Sequence, residues 1–263
     1  LGMGTSTVNY MARVANCRVV PVDMGILDFH GGAGVLDRRV RNGTADITQG
    51  PTMSRAECIR AIETGVELVR EQKAAGADIL ATGEMGIGNT TTSSAVASVL
   101  LGRTPAEVTG RGAGLSDAGL ARKITAVERA IQVNRPDPAN PIDVLSKVVG
   151  LDLAGLCGVF LGGAEYRIPI LMDGFISAVA ALCAIRLNPE AGRAMLASHV
   201  SAEPAGRLVL DELGLKPLIT AGMRLGEGSG AVAALPLLDI ALAVYHSGHT
   251  FDRMGMEPYI PQN

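Results

Sequence analysis

The stretch from Ala81 to Val96, Ala-Thr-Gly-Glu-Met-Gly-Ile-Gly-Asn-Thr-Thr-Thr-Ser-Ser-Ala-Val, constrains the fold more than any other part of the chain. It follows the short apolar run Asp78-Ile79-Leu80-Ala81, which has the length of a buried strand, and it leads into small residues that read as a helix. A strand, a glycine turn and a helix start make a place for an anion. Gly86 and Gly88 permit a tight turn and close approach of the backbone to a ligand. Asn89, Thr90 and Thr91 add side-chain donors beside the unpaired N–H groups of a helix N-terminus. Glu84 stands just ahead of Gly86, where a carboxylate repels a bare phosphate, so it needs a second task. The spacing is neither Gly-x-Gly-x-x-Gly nor Gly-x-x-x-x-Gly-Lys-Ser/Thr. The residues alone leave a phosphate or sugar site and an ordinary β-to-α turn both open.

Further along, strand and helix signals alternate. Leu1 to Ala15 reads as helical, and Arg18 to Val22 as a strand ending at Asp23, followed by a polar, glycine-rich excursion from His30 to Pro51. Ser54-Arg-Ala-Glu57 is a capping box opening a long helix, and Ser116 and Asp117 are capping candidates for another that carries Arg122 and Lys123. Strands are expected at Ile168 to Met172, at Ala194 to Ala197 and near Leu218, with helices from Ile176 to Arg186, Glu203 to Leu213 and Ala231 to Tyr245. Alternation of this kind implies an α/β fold, a parallel sheet covered by helices, with ligands outside the carboxyl ends of the strands. By that rule Asp23, Glu84, Asp173, Ser201 and Glu227 converge on one edge.

Composition narrows the function classes. A net charge of −3 with scattered basic residues provides no stripe for nucleic acid. Uninterrupted apolar runs stay short of the roughly 18 residues of a membrane-spanning segment, and no signal segment is present, so a cytoplasmic location is expected. Cys17, Cys58, Cys157 and Cys183 lack metal-ligand or disulfide spacing and read as buried thiols. His246 and His249 are three apart without a metal-binding motif around them. With aromatics at 3% and no Trp, any apolar pocket wall falls to Met and Leu.

Two carboxylates sit among glycines and are candidates for proton chemistry, Glu84 and Glu227. Glu227 lies between Gly226 and Gly228 at the start of the last helix. There the helix dipole favours its ionised form, whereas apolar neighbours such as Leu225 and Met85 oppose it. General base and plain first-turn residue both remain open for it. Likewise the loop Thr109-Gly-Arg-Gly-Ala-Gly-Leu115 with Lys123 beyond it fits either a flap closing on the first glycine turn or a surface loop with a solvated lysine.

Taken together, Glu84-Met-Gly-Ile-Gly-Asn-Thr-Thr-Thr, Gly110-Arg-Gly-Ala-Gly-Leu, Asp173-Gly-Phe, Ser198-His-Val-Ser-Ala-Glu-Pro and Met223-Arg-Leu-Gly-Glu-Gly-Ser-Gly-Ala resemble the nicotinate-nucleotide:dimethylbenzimidazole phosphoribosyltransferase family. The resemblance spans essentially the whole chain. It implies a Rossmann-like, doubly wound, mostly parallel sheet, a small helical subdomain from the chain ends, a homodimer, and a role in assembling the cobalamin nucleotide loop. The domain pattern it implies is an N-terminal helical remnant over 1–15, a phosphoribosyltransferase domain over 16–245 and a tail over 246–263. It also implies the reaction, in which the phosphoribosyl group of nicotinate mononucleotide passes to 5,6-dimethylbenzimidazole, giving α-ribazole 5′-phosphate and nicotinate, with no cofactor and no metal.

Carried over by position, Glu227 corresponds to the general base and Glu84 to a second active-site carboxylate. Met85, Gly86, Gly88, Asn89, Thr90, Lys123, Gly174, Ser201, Leu225 and Gly228 correspond to the substrate-binding set, with Lys123 facing the phosphate. The family has an N-terminal segment that helps hold the benzimidazole, and it is missing from this sequence. A nucleotide-binding but catalytically impaired fragment is therefore the alternative expectation. A dinucleotide-dependent oxidoreductase is weakened by the missing glycine fingerprint.

Overall fold

A computed structural model describes residues 1–257 together with Tyr259 and Ile260. Of the tail expected over 246–263, Pro258 and residues 261–263 lie outside the described residues. The chain opens with α1 (Thr7–Val14), β1 (Val22–Asp23), β2 (Leu36–Asp37), α2 (Arg55–Ala74) and β3 (Leu80–Ala81). There follow α3 (Asn89–Leu101), α4 (Pro105–Val108), α5 (Asp117–Asn134), α6 (Pro141–Val148) and α7 (Leu151–Glu165). The last third holds β4 (Ile170–Met172), α8 (Phe175–Leu187), β5 (Met195–Ala197), α9 (Ala205–Glu212) and α10 (Ser229–His246).

Local chemistry sets many of these boundaries. Ser54 Oγ accepts the Glu57 amide at 3.2 Å while Glu57 Oε2 accepts the Ser54 amide at 2.8 Å, so the capping box forms as its spacing predicts. Ser116 Oγ accepts the Gly119 amide at 3.2 Å and opens α5 in the same way. The expected helix over residues 1–15 starts only at Thr7, after Gly4 at φ 72° and the Ser6 cap.

The expected strand at Arg18 to Val22 is corrected to Val22–Asp23, because among the described residues those two alone of this stretch have ladder partners, Leu36 and Asp37, from within the polar excursion. This β1–β2 pair is a sheet of its own. The other sheet is parallel in the order β3-β4-β5, with Leu80 opposite Ile170 and Ile170 opposite Met195. The strand anticipated near Leu218 is a single parallel bridge between His199 and Ile219.

Helices bury the sheet. Ten successive residues of α8, Phe175 to Ala184, are buried, and a helix apolar on every side belongs in the middle of a core. Two helices, α2 and α7, approach so closely that glycine is required at the crossing: a Cβ on Gly158 would run into the Ile62 carbonyl oxygen, and one on Gly65 into that of Gly155.

The last helix, α10, is 18 residues long with a mean hydropathy of 1.5, long and apolar enough to cross a bilayer although Asp239 interrupts its apolar run. Its opening residues Ser229 to Val232 are nevertheless buried in the protein, whereas Leu237, Ile240, Val244 and Tyr245 beyond Pro236 are exposed. Pro236 donates no N–H to the turn before it and divides the two halves.

Candidate active site

The carboxyl ends of β3, β4 and β5 deliver the site. After β3, the chain passes through buried Thr82 and then Gly83, whose ideal Cβ would lie 2.6 Å from the Gly228 nitrogen. Two loops thus cross backbone on backbone, and the Glu227 amide donates to the Glu84 carbonyl at 2.8 Å. Glu227 has φ 60° between Gly226 at 80° and Gly228 at 84°. A left-handed glutamate is costly for an ordinary turn, by about 1 kcal/mol, and such residues gather at functional sites.

The turn is held from beneath. Asp173, at the end of β4, accepts amides from Gly230 at 2.8 Å and from Gly228 and Ala231 at 3.2 Å each. Those are unpaired donors of the α10 N-terminus, so a buried carboxylate ties the last helix to the sheet. Burial pushes the Asp173 carboxyl up, opposed by His199 and by the Ala231, Gly174 and Gly230 amides. His199 Nδ1 lies 3.9 Å from Asp173 Oδ1, and burial moves the imidazole down.

Glu84 Oε2 accepts the Gly86 amide and, at 2.9 Å, Asn89 Nδ2. Desolvation raises the Glu84 carboxyl to about 7, with Asp173 and Asp152 adding to the rise. Such a carboxyl gains or loses a proton near neutral pH, as proton chemistry there demands. Because the folded value lies above the unfolded one of about 4.3, the folded state binds the extra proton. Its contribution to stability is present at low pH and lost as pH rises through about 7. Glu84→Gln should remove that slope; urea midpoints at pH 5 and pH 8 that change equally in both proteins would contradict it.

Two cavities meet at Gly86, Thr90 and Ala113 and make one cleft. The first compartment is lined by Glu84, Met85, Gly174, Ser201 and Leu225 of the expected set, joined by His199, Glu203 and Arg224. The second takes Gly88 and Lys123, with Arg111 and Arg122 beside them. Lys123 is buried, donating to Thr90 Oγ1 and to the Gly110 carbonyl, each at 2.9 Å. Burial pulls its ammonium down, opposed by Glu203. Of the two readings left open for it, the solvated one is corrected: the glycine loop at 110–114 folds over the lysine.

The expected residues do not all face the cleft. Asn89 is buried behind Glu84, and Gly228 is committed to Asp173. Met85 and Leu225 are about half exposed and form a rim. The Glu227 side chain accepts the Val8 amide of α1 at 3.1 Å, at the back of its own turn. Asp23 does not join the others: it sits on the separate β1–β2 sheet, where it accepts the Gly25 and Ile26 amides and pairs with Arg39 at 3.0 Å. No pattern in the chain marks Asp152, whose carboxylate accepts from Asn89 at 2.9 Å. Glu203 follows a strand end by a few residues and was open to the same rule that found Ser201.

The family model DBI_PRT, described as phosphoribosyltransferase, matches residues 1–256. The nicotinate-nucleotide–dimethylbenzimidazole phosphoribosyltransferase of Ruminiclostridium cellulolyticum is 49% identical over 258 residues, 98% of this chain and 73% of that relative. The enzyme of the same name from Acetivibrio thermocellus is 49% identical over 259 residues, 98% of this chain and 74% of its own length. The crystal structure of CobT from Thermus thermophilus superposes with a TM-score of 0.91 at 40% identity, covering 98% of this chain and 77% of that one. With nearly its whole length matched in both sequence and fold, this chain belongs to the nicotinate-nucleotide–dimethylbenzimidazole phosphoribosyltransferase family.

Proposed function

We propose that the chain transfers the phosphoribosyl group of nicotinate mononucleotide to 5,6-dimethylbenzimidazole, releasing nicotinate and α-ribazole 5′-phosphate. The observation that carries this reading is the two-part cleft: a basic compartment at the α3 N-terminus opens into one lined by Glu84, whose carboxyl desolvation raises to about 7. Phosphate belongs at Lys123, Thr90 and the amides after Gly88, where fixed donors and the helix dipole favour an anion. The ribose then spans Thr90 to Ser201, and both bases lie toward Glu84, Gly174 and Leu225.

In this arrangement one nitrogen of the benzimidazole attacks C1′ of the ribose. The C1′–nitrogen bond to nicotinate breaks, and its electron pair neutralises the pyridinium ring, which makes nicotinate a good leaving group. The proton on the other benzimidazole nitrogen passes to Glu227, once that carboxylate exchanges the Val8 amide for the base. Glu84 holds the acceptor from the opposite side. Two substrates fixed against each other in a cleft account for much of the acceleration.

Incubating the chain with both substrates should yield α-ribazole 5′-phosphate and nicotinate in equal amounts by mass spectrometry. Nucleotide binding without product would instead identify a binding module. Lys123→Ala should weaken nicotinate mononucleotide binding by about 10- to 100-fold, the worth of a charge-assisted hydrogen bond. An unchanged dissociation constant by calorimetry would remove the lysine from the phosphate site.

The finer architecture belongs to the same proposal. Parallel strands carrying the site at their carboxyl ends support a Rossmann-like domain over 16–245, and the small subdomain from the chain ends, 1–15 and 246–263, is part of the same reading, with α1 packed against α10 of that domain. Exposed Leu237, Ile240 and Val244 on α10 support a homodimer, which light scattering would read directly. A cytoplasmic location fits substrates that are intracellular metabolites.

A further inference from the structure

Asn89 occupies an unusual position for an amide. Its Nδ2 donates to Glu84 Oε2 and to Asp152 Oδ2, both at 2.9 Å, so one nitrogen spends its two hydrogens on two carboxylates. Its Oδ1 is buried with no hydrogen-bond partner among the described residues. An amide oxygen left unsatisfied costs free energy, and the arrangement is retained only if the two carboxylate bonds outweigh it. Gly88 at φ 76° turns the backbone so that Asn89 opens α3 with its side chain directed inward. Asp152 comes from the first turn of α7, an element with no part in the cleft.

We infer that Asp152 is a positioning residue for Glu84, acting through the side-chain amide of Asn89 that holds the two carboxylates on one nitrogen. This rests on the reading of the cleft as the transfer site. Glu84 has a flexible side chain, and its other fixed donor, the Gly86 amide, grips the same oxygen, Oε2. Without a second anchor for Asn89, the amide can rotate and Glu84 loses the aim of Oε1 toward Gly226, where an added Cβ would come within 3.2 Å. Asp152 is that anchor, and Asn89 reaches it across 63 residues of chain.

The bridge has an electrostatic consequence. Desolvation pushes the Asp152 carboxyl up as well, although part of the residue reaches the surface. Two crowded carboxylates on one donor do not both ionise freely, so the pair titrates as a unit. The other charged groups around Glu84 are Asp173 at the end of β4 with His199 against it, Glu227 ahead of α10 and Arg224 on the cleft wall. Glu203 and Lys123 stand across the cleft. Asp152, unlike these, shares a donor atom with Glu84.

The test is a carbon-13 NMR titration of the intact chain labelled at Glu and Asp carboxyls, with Glu84 assigned from Glu84→Gln. In the wild type, the Glu84 and Asp152 signals should both move in the same pH range, each in two steps. A single-step Glu84 curve with Asp152 silent over that range overturns the proposal. In Asp152→Asn, which keeps an oxygen for Asn89 but no charge, the Glu84 midpoint should fall; an unmoved midpoint also overturns it.

Kinetics give the positioning half. Asp152→Asn should shift the limb of the kcat profile that follows Glu84 to lower pH with KM for nicotinate mononucleotide unchanged. Asp152→Ala should lose a further tenfold or so in kcat through lost orientation. Equal losses in both variants at every pH, with the limb in place, would mean a merely structural aspartate. If the wild type forms no product at all, the transfer reading fails while the titration still decides the pairing.

Discussion

Glu227→Gln is expected to slow phosphoribosyl transfer by about 10²- to 10⁴-fold, the usual worth of a general base, while nicotinate mononucleotide still binds with its wild-type dissociation constant. Glutamine suits the test because it changes so little else. It keeps the length of the side chain, and its carbonyl oxygen can still accept the Val8 amide that now meets Glu227 Oε2 at 3.1 Å. The amide that donates to the Glu84 carbonyl belongs to the backbone and stays. What disappears is the capacity to take a proton from the benzimidazole nitrogen. In the proposed arrangement phosphate and ribose are held across the cleft at Lys123, Thr90 and Ser201, so the substitution leaves the nucleotide's own contacts in place. Turnover close to wild type would move the base elsewhere, and Glu84, with its carboxyl near 7, would then be the group to examine.

The second large effect is on the fold. Gly158→Ala should destabilise the protein by about 3 kcal/mol or more, lowering its melting temperature by roughly 10 °C for a chain of this size. A single methyl group is small, but at this crossing it meets backbone: the Ile62 carbonyl on α2 stands where the methyl must go, and Gly65 Cα lies 3.0 Å away. A side chain can rotate out of the way, whereas a helix carbonyl moves only with its helix. Moving α2 away from α7 opens the core around Cys58, Ile62 and Cys157, which are packed with almost no exposure. Calorimetry of the variant checks this. An unchanged transition would mean that the two helices separate at little cost.

How much of this was readable beforehand depended on whether the cause was local. The turn at 83–88 and the caps at Ser54 and Ser116 were legible because glycine and hydroxyl residues act on their immediate neighbours. The strand ends at Glu84, Asp173 and Ser201 followed from the geometry of parallel sheets, and the same rule misplaced Asp23 because two sheets form where one was assumed. The orientation of Glu227 toward α1 and the bridge from Asn89 to Asp152 were hidden for a further reason. Each depends on how distant helices dock, which no spacing along the chain encodes. Recognising Glu84 and Glu227 as a family pattern named the residues but left open which way their side chains turn.

The Asp173 clamp and Pro236 together give α10 the mechanics of a jointed lever. Its near end is fixed to the sheet through three amides, and its full length is about 27 Å. A body pressing on the exposed far half at Leu237, Ile240 or Val244 can bend the helix at the proline, where one rung of its hydrogen-bond ladder is missing. Glu227, one residue outside the clamp, therefore stands on the fixed side of the joint, opposite the half of α10 that faces outward.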